Sequence, residues 1–211
     1  MEIHPPTKPV ESIKDFLIHL SMITIGILIA LGLEQAVEAW HHRELGVEAQ
    51  ENILNEIRDN KKEIDGARLI VKQDKEALLQ SLGVVRQFLA HKKLTHAELT
   101  VHVNAATLNS TNWMTASTTG ALAYMGYDQA KRFAKPYDTQ GLLQRLQDEQ
   151  FRIVSNVLAP IAYSPDGPAS LSDEQLRTVE RELLDCLSGV SMWDQVAAQL
   201  SGQYDRALKG Q

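Results

Sequence analysis

The sequence is poor in the residues from which disulfide, zinc and nucleic-acid sites are built. Cys186 is the only cysteine among 211 residues, which excludes an intrachain disulfide and a cysteine-rich zinc site. The 21 basic residues are outnumbered by 27 acidic ones and are mixed with them along the chain. No basic field is therefore available for a phosphate backbone, and we expect no nucleic-acid partner.

Local motifs for catalysis are also missing. The chain has no Gly-x-Ser-x-Gly elbow and no glycine loop of the kind that cradles phosphates. We therefore predict a protein that is not an enzyme and holds no cofactor. The mean hydropathy of -0.23 sets a further limit, because several membrane spans would raise this average well above zero.

One long apolar stretch is present, at residues 16–33, where eighteen residues carry no formal charge between Asp15 and Glu34. As a helix it would reach about 27 Å, close to the ~30 Å of a bilayer's hydrocarbon core. We predict a transmembrane helix here, after a short irregular tail over 1–15 that contains three prolines. The lipid bilayer is then the first partner of the chain.

A cleaved signal peptide is the alternative, with Val37 and Ala39 as a small-residue cleavage site. A secretory signal would have a more basic start and a shorter apolar core of about 7–15 residues, so an anchor is favoured. Lys8 and Lys14 precede the span, whereas Arg43 alone follows it closely. This asymmetry places the tail in the cytoplasm and residues 34–211 outside, in the periplasm of a bacterium.

Gly26 and Ala30 lie four residues apart within the span, on one helix face. This spacing lets two helix backbones approach closely. We predict a helix–helix contact at this face, with another copy of the chain or with other membrane-protein subunits; contact with lipid alone is the alternative.

After the span, residues 34–92 contain no proline and favour one long helix. Apolar residues recur every seven positions, at Ile57, Ile64, Val71, Leu78 and Val85. The companion line, Asn60, Ala67, Asp74 and Ser81, is mostly polar or small. The pattern predicts a one-sided stripe that packs on its own domain rather than a two-stranded coiled coil.

Two further helices are predicted before Pro136. Thr95 and Glu98 have capping-box spacing and predict a helix over 94–112. Residues 113–135 mix alanine, methionine and aromatic residues without period-two alternation, which favours helix over strand.

Prolines delimit the next helix, predicted over 139–159 between Pro136 and Pro160. Residues 163–170, with two prolines and a glycine, predict a loop.

The last helix has the clearest start, a capping box formed by Ser172 and Gln175. Steps of three and four residues predict a long buried seam at Leu176, Val179, Leu183, Cys186, Val190, Trp193, Ala197, Leu200 and Tyr204. Its partner is the long helix of the same subunit, in an antiparallel pair, or another copy. We predict an all-α protein: one N-terminal transmembrane helix that continues into a long helix, then a multi-helix, bundle-like extramembrane domain over 34–211.

Two polar sets are weak site candidates. Glu38 and His41 have the Glu-x-x-His spacing of carboxylate-bridged metal bundles, but the chain holds no second copy, so we expect no metal site. An interfacial segment with Trp40 at headgroup depth is the simpler interpretation. His91, His96 and His102 do not align on one helix face.

Aromatic and amide residues of 109–137 could line a ligand pocket in a helical domain. The set comprises Asn109, Asn112, Trp113, Tyr124, Tyr127, Asp128, Phe133 and Tyr137.

Three short stretches carry a family resemblance: Ile25-Gly26-Ile27-Leu28-Ile29-Ala30-Leu31, Leu33-Glu34-Gln35 and Glu56-Ile57-Arg58-Asp59-Asn60. With them the chain resembles a group of bacterial single-span membrane proteins that have an IGILIAL-type span and a helical extramembrane domain. The resemblance covers about the first 60 residues. It implies a bacterial inner-membrane location with the helical region outside, and it implies no activity.

These observations favour a single-span membrane protein with a structural or assembly role, as a homo-oligomer or as an accessory subunit of a larger membrane complex. A receptor-like extracytoplasmic sensor that binds a small ligand is the alternative. A metal-dependent enzyme at the membrane surface is a third hypothesis.

Overall fold

Most of the part of the chain that the structure describes is helical. A computed structural model describes residues 12–91, 99–102, 105–164 and 166–209, and it contains four α-helices and no strand within them. The helices are α1 (Ile13–Leu89), α2 (Thr111–Thr118), α3 (Tyr127–Ala162) and α4 (Asp173–Lys209), with 3-10 turns at Ala121–Tyr124 and Gly167–Ser170. The predicted all-α class is confirmed.

Helix α1 is uninterrupted for 77 residues, a length of about 115 Å. It begins at Ile13 because the Ser12 side chain accepts a hydrogen bond from Lys14 N at 3.2 Å and so caps its first turn. Part of the predicted tail, residues 13–15, therefore belongs to the helix; residues 1–11 lie outside the described part. The predicted continuation of the span into a long helix is confirmed.

Helix α4 begins with the predicted capping box. Ser172 N donates to Gln175 Oε1 at 2.9 Å, and Gln175 N donates to Ser172 Oγ at 3.3 Å. The helix then runs antiparallel to α1, since ion pairs join Arg68 to Asp194 and Arg86 to Glu180.

Helix α3 completes a three-helix bundle by running parallel to α1 and antiparallel to α4. Tyr204 donates to Gln140, whereas Trp193 donates to Gln147, so the α4 numbers fall as the α3 numbers rise. Two buried apolar clusters fill the bundle, one reaching from Ile53 to Val71 along α1 and the other from Leu78 to Val85.

Pro136 does not separate two helices, so this prediction is wrong. It lies inside α3, which also extends two residues past Pro160. A proline in a helix removes one backbone hydrogen bond. Here the loss is offset by packing, because Pro136 and Tyr137 are both buried in the bundle.

The predicted helix over 94–112 is also wrong for the described residues before Thr111. Residues 99–102 and 105–110 are not helical, and α2 begins only at Thr111; Thr95, Glu98 and His96 lie outside the described residues. The predicted helix over 113–135 is divided into α2, a 3-10 turn and the start of α3, with Gly120 in the left-handed region at φ 77°. We call residues 99–102 and 105–110 the strap.

Candidate functional site

The apolar first part of α1 is isolated from the rest of the described chain. Every residue of 12–41 is exposed, including all the large apolar side chains of the predicted span. One helix of the described residues, α1, is long and apolar enough to cross a bilayer, with its best window near the N-terminus. The exposed surface needs lipid or another helix to cover it.

Polar side chains within the candidate span form hydrogen bonds to their own helix. Ser21 Oγ donates to Leu17 O and Thr24 Oγ1 donates to Leu20 O, each at 2.8 Å. Such internal hydrogen bonds suit a lipid environment, where no water is present to replace them.

The Gly26 and Ala30 face is open. Both residues are exposed, and no atom outside the helix lies within 4 Å of the position that a Cβ on Gly26 would occupy. A second helix could therefore approach closely at this face, and the predicted contact stays a prediction.

Glu38 and His41 do not converge with other ligands. Both are exposed, and it is His42 whose Nε2 lies 3.9 Å from Glu38 Oε1, while its ring stacks on Tyr124 at 4.1 Å. No cluster of three or more His, Cys, Asp or Glu side chains suited to a metal occurs in the described ranges. His102, by contrast, lies 3.8 Å from buried Asp74.

The α4 seam lies in the bundle interior. Eight of its nine residues are buried, with exposures of 4% or less, and Val190 is partly buried between the two apolar clusters. Its neighbours are α1 and α3 of the same chain. Burial raises the pKa of the Cys186 thiol to about 11, so this side chain stays a neutral core group at neutral pH.

The strap runs back along α1 and is held by buried polar side chains rather than by a β-ladder. Asn60 Nδ2 donates to Asn109 O at 2.7 Å, and Asn109 N donates to Asn60 Oδ1 at 2.8 Å. Ser81 exchanges the same pair of hydrogen bonds with Thr100 N and O, both at 2.9 Å. Each side chain thus satisfies both polar groups of one strap residue, as a paired strand would.

Helix α3 holds the opposite side of the strap in the same way. Ala106 N donates to Gln147 Oε1 at 3.0 Å, and Gln147 Nε2 donates to Ala106 O at 3.3 Å. Gln140 Nε2 donates to Asn109 O at 3.0 Å. The strap therefore lies between α1 and α3, where a four-helix bundle would place a helix.

Glu56 fastens the end of the strap by capping α2 from another helix. Its carboxylate accepts Asn112 N at 2.8 Å and Trp113 N at 3.3 Å, in the first turn of α2, whose own N-cap residue provides no side-chain bond. A negative charge at a helix N-terminus is favourable. Tyr137 Oη donates to the same carboxylate at 2.6 Å. Burial, together with this bond and charge, raises the pKa of Tyr137, so its phenol remains a donor.

The prediction that the apolar line of α1 packs on its own domain is confirmed, since all its residues are buried in the two clusters. The buried face is wider than a one-sided stripe, because the companion residues Asn60, Ala67, Asp74 and Ser81 are buried too. The polar character of Asn60 and Ser81 reflects the extended backbone to which they bond. Polar residues at seven-residue spacing beside the apolar line of α1, Asn60, Asp74 and Ser81, are the signal that could have identified this site.

The aromatic set is dispersed through the domain. Trp113 stacks on Tyr137 at 5.1 Å and Phe133 is buried in the core, whereas Tyr127 is 80% exposed. Asn109 and Asn112 bond to α1. A cavity of about 20 Å³ lies instead beside Asp74, with Val71, His102, Gln147, Gln150, Val190 and Trp193 around it. That volume suits one water molecule.

A close backbone approach at Gly46 positions the turn that follows α2. A Cβ at Gly46 would lie 2.8 Å from the Tyr124 carbonyl oxygen. We expect Gly46→Ala to lower the free energy of unfolding by about 1–3 kcal/mol through overpacking.

Gly66→Ala is the matched control, because Gly66 is exposed with open space at its Cβ position. It should stabilise α1 by up to about 1 kcal/mol. Thermal unfolding of both variants measures this. An equal rise in stability for the two variants would contradict the close packing of Gly46 on Tyr124.

The chain matches no family model, no curated protein and no solved structure.

Proposed function

We propose that this protein is a single-span membrane-anchored structural or assembly protein, either a homo-oligomer or an accessory subunit of a larger membrane complex. The observation that carries the proposal is the continuity of α1. Its first part is apolar and wholly exposed, and the same helix without a break becomes the core helix of the bundle from Gly46 onward. The helix thereby fixes the bundle relative to the membrane.

The strap site supports a structural role. Its polar groups are engaged with backbone partners: Asn60 with Asn109, Gln147 with Ala106, and Glu56 with the start of α2. These bonds close the bundle around an extended segment and give it one defined shape to present to other subunits.

The proposed location is a bacterial inner membrane, with the N-terminus in the cytoplasm and the bundle in the periplasm. Lys8 and Lys14 before the span, against Arg43 after it, support this orientation. Trp40, 70% exposed and about 10 Å beyond Leu33 along the helix, would then lie near the headgroups.

The intramembrane contact is tested by filling the small-residue face. We expect Gly26→Leu with Ala30→Leu to reduce the size of the complex extracted in mild detergent, because leucine side chains keep two backbones apart. Gly32→Leu is the matched control, since Gly32 is equally exposed but points about 120° away from Gly26. Size measurement by light scattering decides: an unchanged complex for the double variant eliminates this face as the contact.

A further inference from the structure

We propose that a second copy of this chain packs in parallel along an outer seam of α1 that continues from the membrane into the aqueous side. The outer seam comprises Gly26, Ala30, Leu33, Val37, Trp40, Glu44 and Val47. The inference rests on the proposed assembly function and specifies the partner, its orientation and its register.

The spacing of the outer seam is that of a coiled coil. Its steps alternate between four and three residues from Gly26 to Val47, which is the seven-residue repeat of paired helices. Six of the seven positions are apolar or glycine. The small residues lie inside the bilayer and the larger ones outside it, so two helices could be closest in the membrane and fill a wider gap beyond it.

The apolar seam residues beyond the membrane are exposed in a single copy. Val37 is 64% exposed, Trp40 70% and Val47 49%. Headgroups can cover Trp40, but Val47 lies about 20 Å past Leu33, beyond the interfacial layer of a bilayer. Its side chain needs a protein partner to leave water.

The bundle leaves the outer seam free, because it packs on the opposite side of α1. Gly26 and Gly46 are twenty residues apart, so their side-chain directions differ by about 160° at 3.6 residues per turn. Gly46 is where α1 first becomes buried, against Tyr124. Two copies could therefore join along the seam with their bundles pointing away from each other.

The charges beside the seam suit a parallel pair of identical chains. In that register Arg43 of one copy lies opposite Glu48 of the second copy and next to its Glu44, and symmetry repeats both contacts. Neither Arg43 nor Glu48 has an ion-pair partner in the described part of a single copy. A second copy supplies a partner for each.

The seam has a physical end after Val47. The next two positions of the repeat are Glu51 and Leu54, and Leu54 is buried in the bundle core. In a straight α-helix, positions that repeat every seven residues rotate around the helix axis by about 20° per repeat. This rotation moves the seam positions from the outer surface of α1 into the chain's own core. The contact with the second copy therefore stops where the bundle begins.

Cysteine cross-linking of the full-length chain in native membranes tests the seam. Val37→Cys and Val47→Cys should form disulfide-linked dimers on oxidation. Gln35→Cys and Ala39→Cys are matched controls, because these exposed residues lie on the opposite side of the same helix, and they should cross-link several-fold less. The native Cys186 is fully buried and should give no dimer by itself. Equal cross-linking at all four positions would overturn the seam.

Charge reversal supplies an independent readout at Val47→Cys. Arg43→Glu and Glu48→Arg should each lower the cross-linked fraction, and the two together should recover part of it; no recovery would contradict the register. If the seam cysteines form no disulfide-linked dimer and the protein is found in a complex with companion chains, the outer seam is wrong but the assembly function is retained. A chain that is found alone and monomeric would overturn both.

Discussion

Replacement of Gln147 by methionine is expected to lower the free energy of unfolding by about 3 kcal/mol, because the variant keeps the side-chain volume but loses the amide. Ala106 N, Ala106 O and Trp193 Nε1 all bond to this amide in a buried position. A buried group left without its partner costs about 1–3 kcal/mol. For a chain of this size the melting temperature should fall by roughly 6–12 °C.

Gln144→Met is the matched control, since Gln144 lies one turn away on α3 and is exposed. It should leave the melting temperature nearly unchanged. Limited proteolysis adds a local readout, because an undocked strap should be cut faster within residues 99–110 in the Gln147 variant alone. Equal stability of the two variants would show that the strap is not held by the amide.

A chain that begins at Glu34 is expected to leave the membrane fraction completely and to remain helical in solution. The deletion removes the exposed apolar part of α1 and no residue of either buried cluster. The bundle starts at Gly46, so its packing should be intact. Membrane sedimentation with alkaline washing, followed by circular dichroism of the soluble product, measures both expectations.

The full-length chain is the control and should stay with the membranes after the alkaline wash. Its release would count against an anchor. Precipitation of the shortened chain, with loss of helical signal, would instead show that the bundle depends on the span for its folding.

Local signals in the sequence predicted the two longest elements. The absence of proline over 34–92 and the seven-residue apolar line predicted one long helix, and the structure confirms it, with the end at Leu89. The Ser172 and Gln175 capping box fixed the start of α4. Each of these signals is local or periodic, so one stretch of chain contains all the information that is needed.

The strap could not be predicted in the same way, because its conformation depends on partners far away in sequence. Asn109 is held by Asn60 from 49 positions earlier and by Gln140 from 31 positions later. The local preference for a helix loses to these bonds at residues 105–110. Pro136 is a similar case, since burial in the bundle outweighs its local tendency to end a helix.

Of the two candidate contact surfaces, the sequence alone predicted one and the structure was needed for the other. The periodic α4 seam was visible in the sequence, and the structure places it in the core between α1 and α3. The outer seam of α1 needed the structure, because its apolar residues differ from core residues only in being left exposed beside a bundle that packs on the other face.

The assembly role is tested most directly by the mass of the complex released intact from native membranes and measured by native mass spectrometry. We expect a mass above that of one 23.5 kDa chain, and pairing along the outer seam adds the expectation of two copies of this chain in the complex. A single chain without companions would contradict it.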